Sequence, residues 1–215
     1  MLEEAIKKLI KGIKINNFII YAKKISKGRF LEEKNLDIYV KKGILENRLL
    51  YIKVFHGRKP YYKPWIEIFG INAQIKLGEE IINYFDSIIE NELLSFFSNF
   101  IKEGGKIFIE YHTDEETKKQ LEADFPPFVT RLGYKLFNLG FTWFKDWYFP
   151  EGFMEGEQKL QAEKPINDEE KKRQIKQIKD DVKEFLEKIK SLNKYESYII
   201  KSIERAKIIL RKNEW

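Results

Sequence analysis

The segment from Trp147 to Gly156 holds the residue types best suited to chemistry in this sequence. Two Glu-Gly steps, at Glu151 and Glu155, directly follow an aromatic run. Glycine lets the backbone approach a ligand closely, and two neighbouring carboxylates can divide into an acid and a base. Trp147 and Tyr148 can wall such a pocket and raise the pKa of a glutamate by removing it from water. The alternative interpretation is a strand end, two turns and solvated glutamates.

A second candidate for acid–base chemistry is His112, which ends the apolar run KIFIEYH. A histidine at the carboxyl end of a strand can serve as a general base, because ligands often bind beyond such ends. As an ordinary edge residue it would need no function. The other histidine, His56, lies in the turn-like segment HGRKPYY, where a surface position is expected. Two histidines far apart and no cysteine form no zinc signature, so we predict no metal site.

Composition restricts the class of protein. The chain has 215 residues, 43% of them hydrophobic and 34% charged, and this length can bury roughly 70% of the unfolded surface in one core. No apolar run reaches the ~18 residues of a membrane span, and the periodic, charged N-terminal segment does not read as a signal peptide. Since there is no cysteine for disulfides, we expect a cytoplasmic protein.

The basic excess is mild, with a formal net charge of +6. A positive stripe can follow phosphates, and lysines crowd the N-terminal segment. However, solvated faces explain such runs more often, and Glu3 and Glu4 dilute this one. Nucleic acid is therefore not the expected partner. The expected partner is a small-molecule substrate.

Hydrophobic periodicity divides the first half of the chain into strands between two helices. The run of apolar residues before Gly104-Gly105 keeps returning to one face, which predicts a long helix that the glycines end. Two β-rich runs around a Gly/Pro segment predict a hairpin. The predicted elements are a helix over 2–11, strands over 18–25 and 36–40, the hairpin strands 49–55 and 65–71, and the helix over 78–101.

The second half begins with a predicted central strand over 106–111. Thr113 and Glu116 have capping-box spacing, so a helix is expected to begin at Asp114. Another helix should start near Pro126-Pro127, since proline is tolerated in a first helical turn, and end at Gly140. An aromatic strand over 141–149 and a glycine-broken loop over 150–165 complete this part.

Beyond Pro165 the composition changes to that of two amphipathic helices. One apolar stripe runs from Ile175 to Leu192 and another from Tyr198 to Ile209, and a stretch that can turn lies between them. We therefore predict a main domain over 1–164 and an antiparallel helical hairpin over 165–215. The apolar stripes of the hairpin can pack on the main domain or on another subunit, so a homo-oligomer is one expectation.

The stretch from KIFIEYH through FPPFVTRLGYKLFNLGFTWFKDWYFPEGFMEG resembles an uncharacterised prokaryotic family known as domain of unknown function 1122. The resemblance covers roughly residues 16–165, and its most specific part is the WYFPEG…EG segment. No established activity accompanies that family, so the resemblance adds little about the substrate.

The order of elements is also similar to that of the GNAT superfamily of N-acetyltransferases. In addition, Leu139-Gly140-Phe141 resembles the late motif of that superfamily. This resemblance implies an α+β fold with a mixed, mostly antiparallel sheet flanked by helices. It further implies that acetyl-CoA or another acyl-CoA lies between the fourth and fifth strands, with its diphosphate at a helix N-terminus. The cofactor-binding residues that it implies are Ile71, Asn72, Gln74 and Gly78.

Two functions follow from the GNAT resemblance. In the first, the protein is an N-acyltransferase, Glu151 and Glu155 deprotonate or orient an amine, and His112 is the alternative base. In the second, a non-catalytic GNAT-like module binds a protein or nucleic acid. Leu77 and Glu79 stand where the superfamily has small residues in its phosphate loop, which favours the second function. The glycine-bracketed glutamates favour the first.

Overall fold

The structure is a computed structural model. It describes residues 2–15, 17–27, 33–55, 65–71, 74–77, 79–83, 93–99, 101–149, 157–191 and 196–212. The chain divides into two compact units, Met1–His112 and Thr113–Trp215. None of the helices within these ranges combines the length and the apolarity that a membrane-spanning helix needs.

The first unit is built on a mostly antiparallel sheet in the order β1-β2-β3-β4-β5-β8. Neighbouring strands in this order run antiparallel, except for β5 and β8, which are parallel. The strands of this unit are β1 (Ile13–Ile15), β2 (Phe18–Lys27), β3 (Glu33–Lys42), β4 (Leu45–Phe55), β5 (Trp65–Ile71), β6 (Gln74–Leu77), β7 (Glu80–Asn83) and β8 (Lys106–His112).

Alternating burial shows why these segments form strands. Along β3 the buried apolar side chains are Leu36, Ile38 and Val40, and the residues between them are half-buried. Side chains of a strand alternate between the two sides of a sheet, so one face of β3 lies in the core. The helix α1 (Leu2–Lys11) likewise buries one apolar stripe, formed by Ala5, Ile6 and Leu9. The predicted first helix, the first strands and the pairing of β4 with β5 are confirmed.

The helix predicted over 78–101 is wrong in its first part. β6 and β7 pair antiparallel, with Leu77 opposite Glu80 and Gln74 opposite Asn83. In the described part of that range, the helix is α2 (Leu94–Ser98), which buries Leu94 and Phe97. The error has a physical reason, because short apolar runs fit a strand and a buried helix equally well.

The second unit alternates short helices with a strand pair and ends in two longer helices. Its elements are α3 (Glu115–Glu122), a 3-10 turn (Pro127–Val129), α4 (Arg131–Asn138), β9 (Trp143–Phe149), β10 (Glu157–Glu163), α5 (Asp168–Lys188), a 3-10 turn (Ile189–Ser191) and α6 (Ser197–Arg211).

Side-chain caps set the starts of three of these helices. Asp114, Thr130 and Asn167 each accept a hydrogen bond from the backbone N–H three residues on, as N-caps do. The predicted start of α3 is therefore correct to one residue, although the cap is Asp114 and not Thr113. The helix predicted from Pro126 is divided, since a 3-10 turn precedes the Thr130 cap.

The loop predicted over 150–165 is wrong for residues 157–163, which form β10. This strand pairs antiparallel with β9 along its whole length, from Glu157 opposite Phe149 to Glu163 opposite Trp143. Its buried side chains, Gln158, Leu160 and Ala162, alternate as a strand requires. The sequence signal is weak because one of these three buried positions is a glutamine.

The predicted C-terminal helical hairpin is confirmed by α5 and α6. Lys179 Nζ donates a hydrogen bond to the carbonyl oxygen of Lys212 at 2.8 Å, and Phe125 contacts both Phe185, late in α5, and Tyr198, early in α6. These contacts require an antiparallel pair. The domain boundary near residue 164 remains a prediction.

The apolar stripes of the hairpin pack within the second unit. One core cluster joins them to the segment between α3 and β9, so at least this part of their apolar surface is covered by the chain itself. The buried members of the cluster are Phe125, Phe128, Val129, Phe137, Ile178, Val182, Phe185, Ile189, Ile199, Ala206 and Ile209.

Gly133 allows α4 to lie directly against the preceding 3-10 turn. A Cβ at this position would lie 1.9 Å from the carbonyl oxygen of Pro127. The same oxygen accepts a hydrogen bond from Thr130 Oγ1 at 2.7 Å, which holds the turn in place. A side chain at position 133 must therefore displace backbone.

We predict that Gly133→Ala lowers the free energy of unfolding by about 3 kcal/mol, as overpacking of a rigid contact does. At this chain length the melting temperature should fall by roughly 10 °C. The matched control is Gly43→Ala, because Gly43 has a φ of +60° but no atom within 4 Å of the added Cβ. That variant should lose only about 1 to 2 kcal/mol from backbone strain. Equal losses in the two variants, measured by thermal and urea unfolding, would contradict the packing argument.

Candidate functional site

A cavity of about 450 Å³ opens in the second unit. Its walls come from the end of α3 and the residues that follow, from β9 and from α5. Part of the lining is apolar or aromatic: Leu121, Phe125, Pro126, Pro127, Tyr148 and Phe185. The remainder is charged: Asp124, Asp146, Asp181, Glu184 and Lys188.

The turn after α3 brings Phe125 into the wall of this cavity. Asp124 has a φ of +55°, in the left-handed region that aspartate tolerates better than most residues. The Phe125 N–H donates to the carbonyl oxygen of Gln120 at 2.9 Å, which closes the end of the helix. The ring of Phe125 then packs edge-on against that of Phe185, with centroids 4.8 Å apart and planes at 72°.

The charges around the cavity are unbalanced. Four carboxylates line it against one ammonium, that of Lys188. Lys188 Nζ lies 3.4 Å from Asp124 Oδ2, but the Asp124 side chain is 96% exposed, so this ion pair contributes little to stability. Asp146, Asp181 and Glu184 leave the cavity with an excess of negative charge.

The structure changes the proton affinity of Asp146, which lines this cavity. Burial raises the pKa of its carboxyl group, because removal from water disfavours the charged form. A hydrogen bond opposes this rise in the pKa, since Gln158 Nε2 donates to Asp146 Oδ2 at 3.4 Å and favours the carboxylate. Gln158 is itself fully buried on β10. Asp146 therefore keeps its proton to a higher pH than an exposed aspartate.

Linkage gives the sign of the resulting pH dependence. The raised pKa of Asp146 means that the folded state binds the proton more tightly than the unfolded state does. The contribution of Asp146 to stability is therefore lost as the pH rises from the ordinary value of 3.8 through the folded-state pKa. Asp146→Asn removes this loss and can still accept the Gln158 hydrogen bond.

We predict that the melting temperature of Asp146→Asn, relative to wild type, is higher at about pH 7 than at about pH 3. Asp180→Asn on α5 is the matched control with the opposite sign. The hydrogen bond from Lys183, 2.8 Å long, lowers the pKa of Asp180, so its carboxylate is favoured in the folded state. A relative melting temperature of Asp146→Asn that does not rise with pH would contradict the desolvation of this carboxyl group.

Of the three residues predicted as catalytic, His112 lies among the described residues. Glu151 and Glu155 lie outside these residues, and His56 does too. His112 is the last residue of β8 in the first unit. Since Ile71 is opposite Tyr111 and β5 is parallel to β8, the backbones of Ile71 and His112 lie at the same end of this strand pair.

The other predicted cofactor residues lie close in sequence to the β6–β7 hairpin. Gln74 is the first residue of β6, opposite Asn83. Asn72 and Gly78 lie outside the described residues.

Trp147 and Tyr148, the predicted pocket walls, leave β9 on opposite faces, as successive strand residues do. Tyr148 lines the cavity. Trp147 is 39% exposed, and Lys145 Nζ lies 4.8 Å from the centroid of its ring. The structure therefore brings Tyr148, but not Trp147, to the candidate site.

Sequence reasoning missed the carboxylates that line the cavity. A signal existed for Asp146, which is the one acidic residue inside the aromatic strand FTWFKDWYF. No sequence pattern indicated that Asp181 and Glu184 belong to a site, because acidic residues on an amphipathic helix usually form its solvated face. Within the described ranges, no three histidine, aspartate or glutamate side chains form a group that could hold a metal ion.

Together these features define an α+β protein with a mostly antiparallel sheet, a C-terminal helical hairpin and an acidic, partly aromatic cavity. A family model described as "Protein of unknown function (DUF1122)" matches residues 16–189, so the chain belongs to that family, as the WYFPEG segment predicted. The chain is also similar to a protein of unknown function from Aquifex aeolicus whose crystal structure is known. The two sequences are 40% identical, and the two structures superpose with a TM-score of 0.78. The alignment covers 97% of this chain and 98% of that chain. Comparison with curated proteins gives no match.

Proposed function

We propose that the protein is an acyl-CoA-dependent N-acyltransferase with a GNAT-like fold. The observation that carries this proposal is the parallel pair of β5 and β8, which adjoins the antiparallel strands β1 to β5 of the first unit. Counted from β2, these are the fourth and fifth strands of the sheet in the order in which they pair. Acyl-CoA lies between the fourth and fifth strands in the GNAT superfamily, so the pair is the site that the resemblance assigns to the cofactor.

The pairing of β5 with β8 is also irregular where a cofactor would need access. Ile68 is opposite Ile109 and Ile71 is opposite Tyr111, so three steps along β5 match two along β8. An extra residue of this kind takes backbone groups out of the strand ladder. Backbone N–H and C=O groups placed there can bond the amides and the thioester carbonyl of an acyl-CoA.

The diphosphate of the cofactor needs a different site from the one first expected. Glu80 begins β7, whereas the resemblance implied that a helix N-terminus at this point would hold the phosphates. The proposal therefore retains Ile71 near the cofactor and places no phosphate contact at Gln74.

The proposed chemistry is the deprotonation of an amine nucleophile before it attacks the thioester. Glu151 and Glu155 are proposed to deprotonate or orient the amine, because a protonated amine cannot attack a carbonyl. His112 is the alternative base, and its support is its position at the end of β8, beside the end of β5.

One observation favours a second candidate function, a non-catalytic module that binds a protein. The β6–β7 hairpin occupies the stretch where a phosphate-binding helix start was expected. Within that hairpin Leu77 is buried, with 2% of its surface exposed, and Glu79 is exposed. A buried leucine and an exposed carboxylate do not suit the binding of an anionic diphosphate. The two functions differ in whether the protein binds CoA.

We predict that acetyl-CoA at about a hundred times its dissociation constant raises the melting temperature by roughly 5 to 10 °C. Adenosine and buffer alone are the controls. If millimolar acetyl-CoA causes no shift, the acyltransferase proposal fails and the protein-binding module takes its place.

The catalytic assignment is tested separately with Glu151→Gln combined with Glu155→Gln. This variant should keep the acetyl-CoA shift and lose turnover with any amine that the wild-type protein acylates, because a glutamine cannot accept the proton. Glu187→Gln, an exposed change on α5, is the matched control and should keep wild-type turnover. Full turnover in the double variant would show that another group is the base.

A further inference from the structure

We propose that the cavity of the second unit binds an organic cation, an alkylammonium group carried on a short apolar chain. All the residues that line this cavity belong to the unit Thr113–Trp215. The inference therefore does not depend on acyl-CoA binding in the first unit.

The size and the apolar wall of the cavity fit a small molecule or a single side chain. A volume of about 450 Å³ lies within the range of small-ligand sites, roughly 300 to 1,000 Å³. Phe125, Phe185 and Tyr148 give this wall an aromatic character. Aromatic rings attract ammonium groups through their quadrupole and also bury the methylene groups attached to them.

The negative charge of the second wall favours the binding of a cation and disfavours that of an anion. Its carboxylates come from three elements: Asp124 from the turn after α3, Asp146 from β9, and Asp181 and Glu184 from α5. Lys188 can neutralise one of them at most, and it lies 3.4 Å from Asp124. An anionic ligand would face a net repulsion inside a partly buried cavity.

The arrangement of the carboxylates in this wall favours an organic cation over a metal ion. A metal ion needs several ligands around one point, and no such group of three is present among the described side chains. Carboxylates spread around an aromatic cavity suit a flexible ligand with separated charges. An aliphatic diamine has this chemistry.

Asp146 is a carboxylate that a bound cation would stabilise. Burial disfavours its charge, so an ammonium group beside it restores the favourable interaction that water otherwise provides. Gln158 Nε2 donates to Asp146 Oδ2 at 3.4 Å and orients the carboxylate. A charge-assisted hydrogen bond to the ligand is therefore preorganised on this side of the cavity.

The test is isothermal titration of the full chain with cadaverine at low salt, and pentanediol serves as the uncharged analogue. The expected result is saturable binding of cadaverine and none of pentanediol. Asp146→Asn combined with Glu184→Gln should weaken cadaverine binding at least about tenfold, since each hydrogen bond to a charged group contributes that much or more. Glu187→Gln removes one charge from the same helix outside the cavity and should change the affinity less than about twofold.

Each alternative result overturns the proposal. If wild type does not bind cadaverine, or if pentanediol binds equally, then the cavity does not recognise an organic cation. If Glu187→Gln weakens binding as much as the double variant does, the attraction belongs to the whole surface of α5 and not to the cavity. Circular dichroism of each variant verifies that a loss of binding is not a loss of folding.

A second titration separates two sources of the same chemistry, a free diamine and a lysine side chain of a protein. The probe is Nα-acetyl-lysine amide, which carries one ammonium group and a peptide-like backbone. Binding of cadaverine alone supports a free amine as the ligand, and tighter binding of the lysine derivative supports a protein side chain. A lack of cadaverine binding overturns the proposal, whatever the result with the lysine derivative.

Discussion

The packing of Phe125 between the two C-terminal helices is the contact on which the second unit depends. Its ring meets Phe185 of α5 edge-on at 4.8 Å and lies 5.9 Å from the ring of Tyr198 on α6. Phe125 is 3% exposed, so nearly all of its apolar surface is buried. Burial of a side chain of this size stabilises the folded state by about 1.5 to 3 kcal/mol. The same ring lines the cavity, and one residue therefore serves both stability and the candidate site.

Polar contacts reinforce this arrangement on a second side of α6. Arg205 Nη2 donates to Glu116 Oε1 at 3.1 Å and Arg205 Nη1 donates to the carbonyl oxygen of Val129 at 3.2 Å. Arg205 and Glu116 are only 15% and 18% exposed, so this pair is less screened than a surface ion pair. Ser202 Oγ accepts from the buried Gln120 Nε2 at 2.9 Å. These bonds fix α6 against α3, which helps to hold the cavity wall in one geometry.

Much of the fold could be predicted from the sequence because its elements have strong periodic patterns. The stripes of α5 and α6 and the alternation of β3 each have enough buried apolar residues to specify their period. β10 could not be recognised, because burial of Gln158 depends on its partner Asp146 on the neighbouring strand. The β6–β7 hairpin was mistaken for the start of a helix because four-residue strands are too short for periodicity to decide.

The candidate site was harder to predict for a related reason. Its carboxylates lie on a turn, a strand and a helix that are far apart in sequence, and only the core around Phe125 brings them together. Sequence patterns identified residues that are adjacent along the chain, such as Trp147 and Tyr148, although adjacent residues of a strand face opposite ways. Asp146 shows the difference, since its importance comes from burial and not from its neighbours in sequence.

The central claim is that the α5–α6 hairpin is part of the core that forms the cavity and is not an independent appendage. Native-state hydrogen exchange of the full chain tests it directly, because it measures the free energy at which each amide opens. The account predicts that Phe137 on α4 and Val182 on α5 open within about 1 kcal/mol of each other, as members of one cooperative core do. If the amides of α5 and α6 instead exchange through an opening at least about 2 kcal/mol lower, with α4 still protected, the hairpin is separable and the account is contradicted.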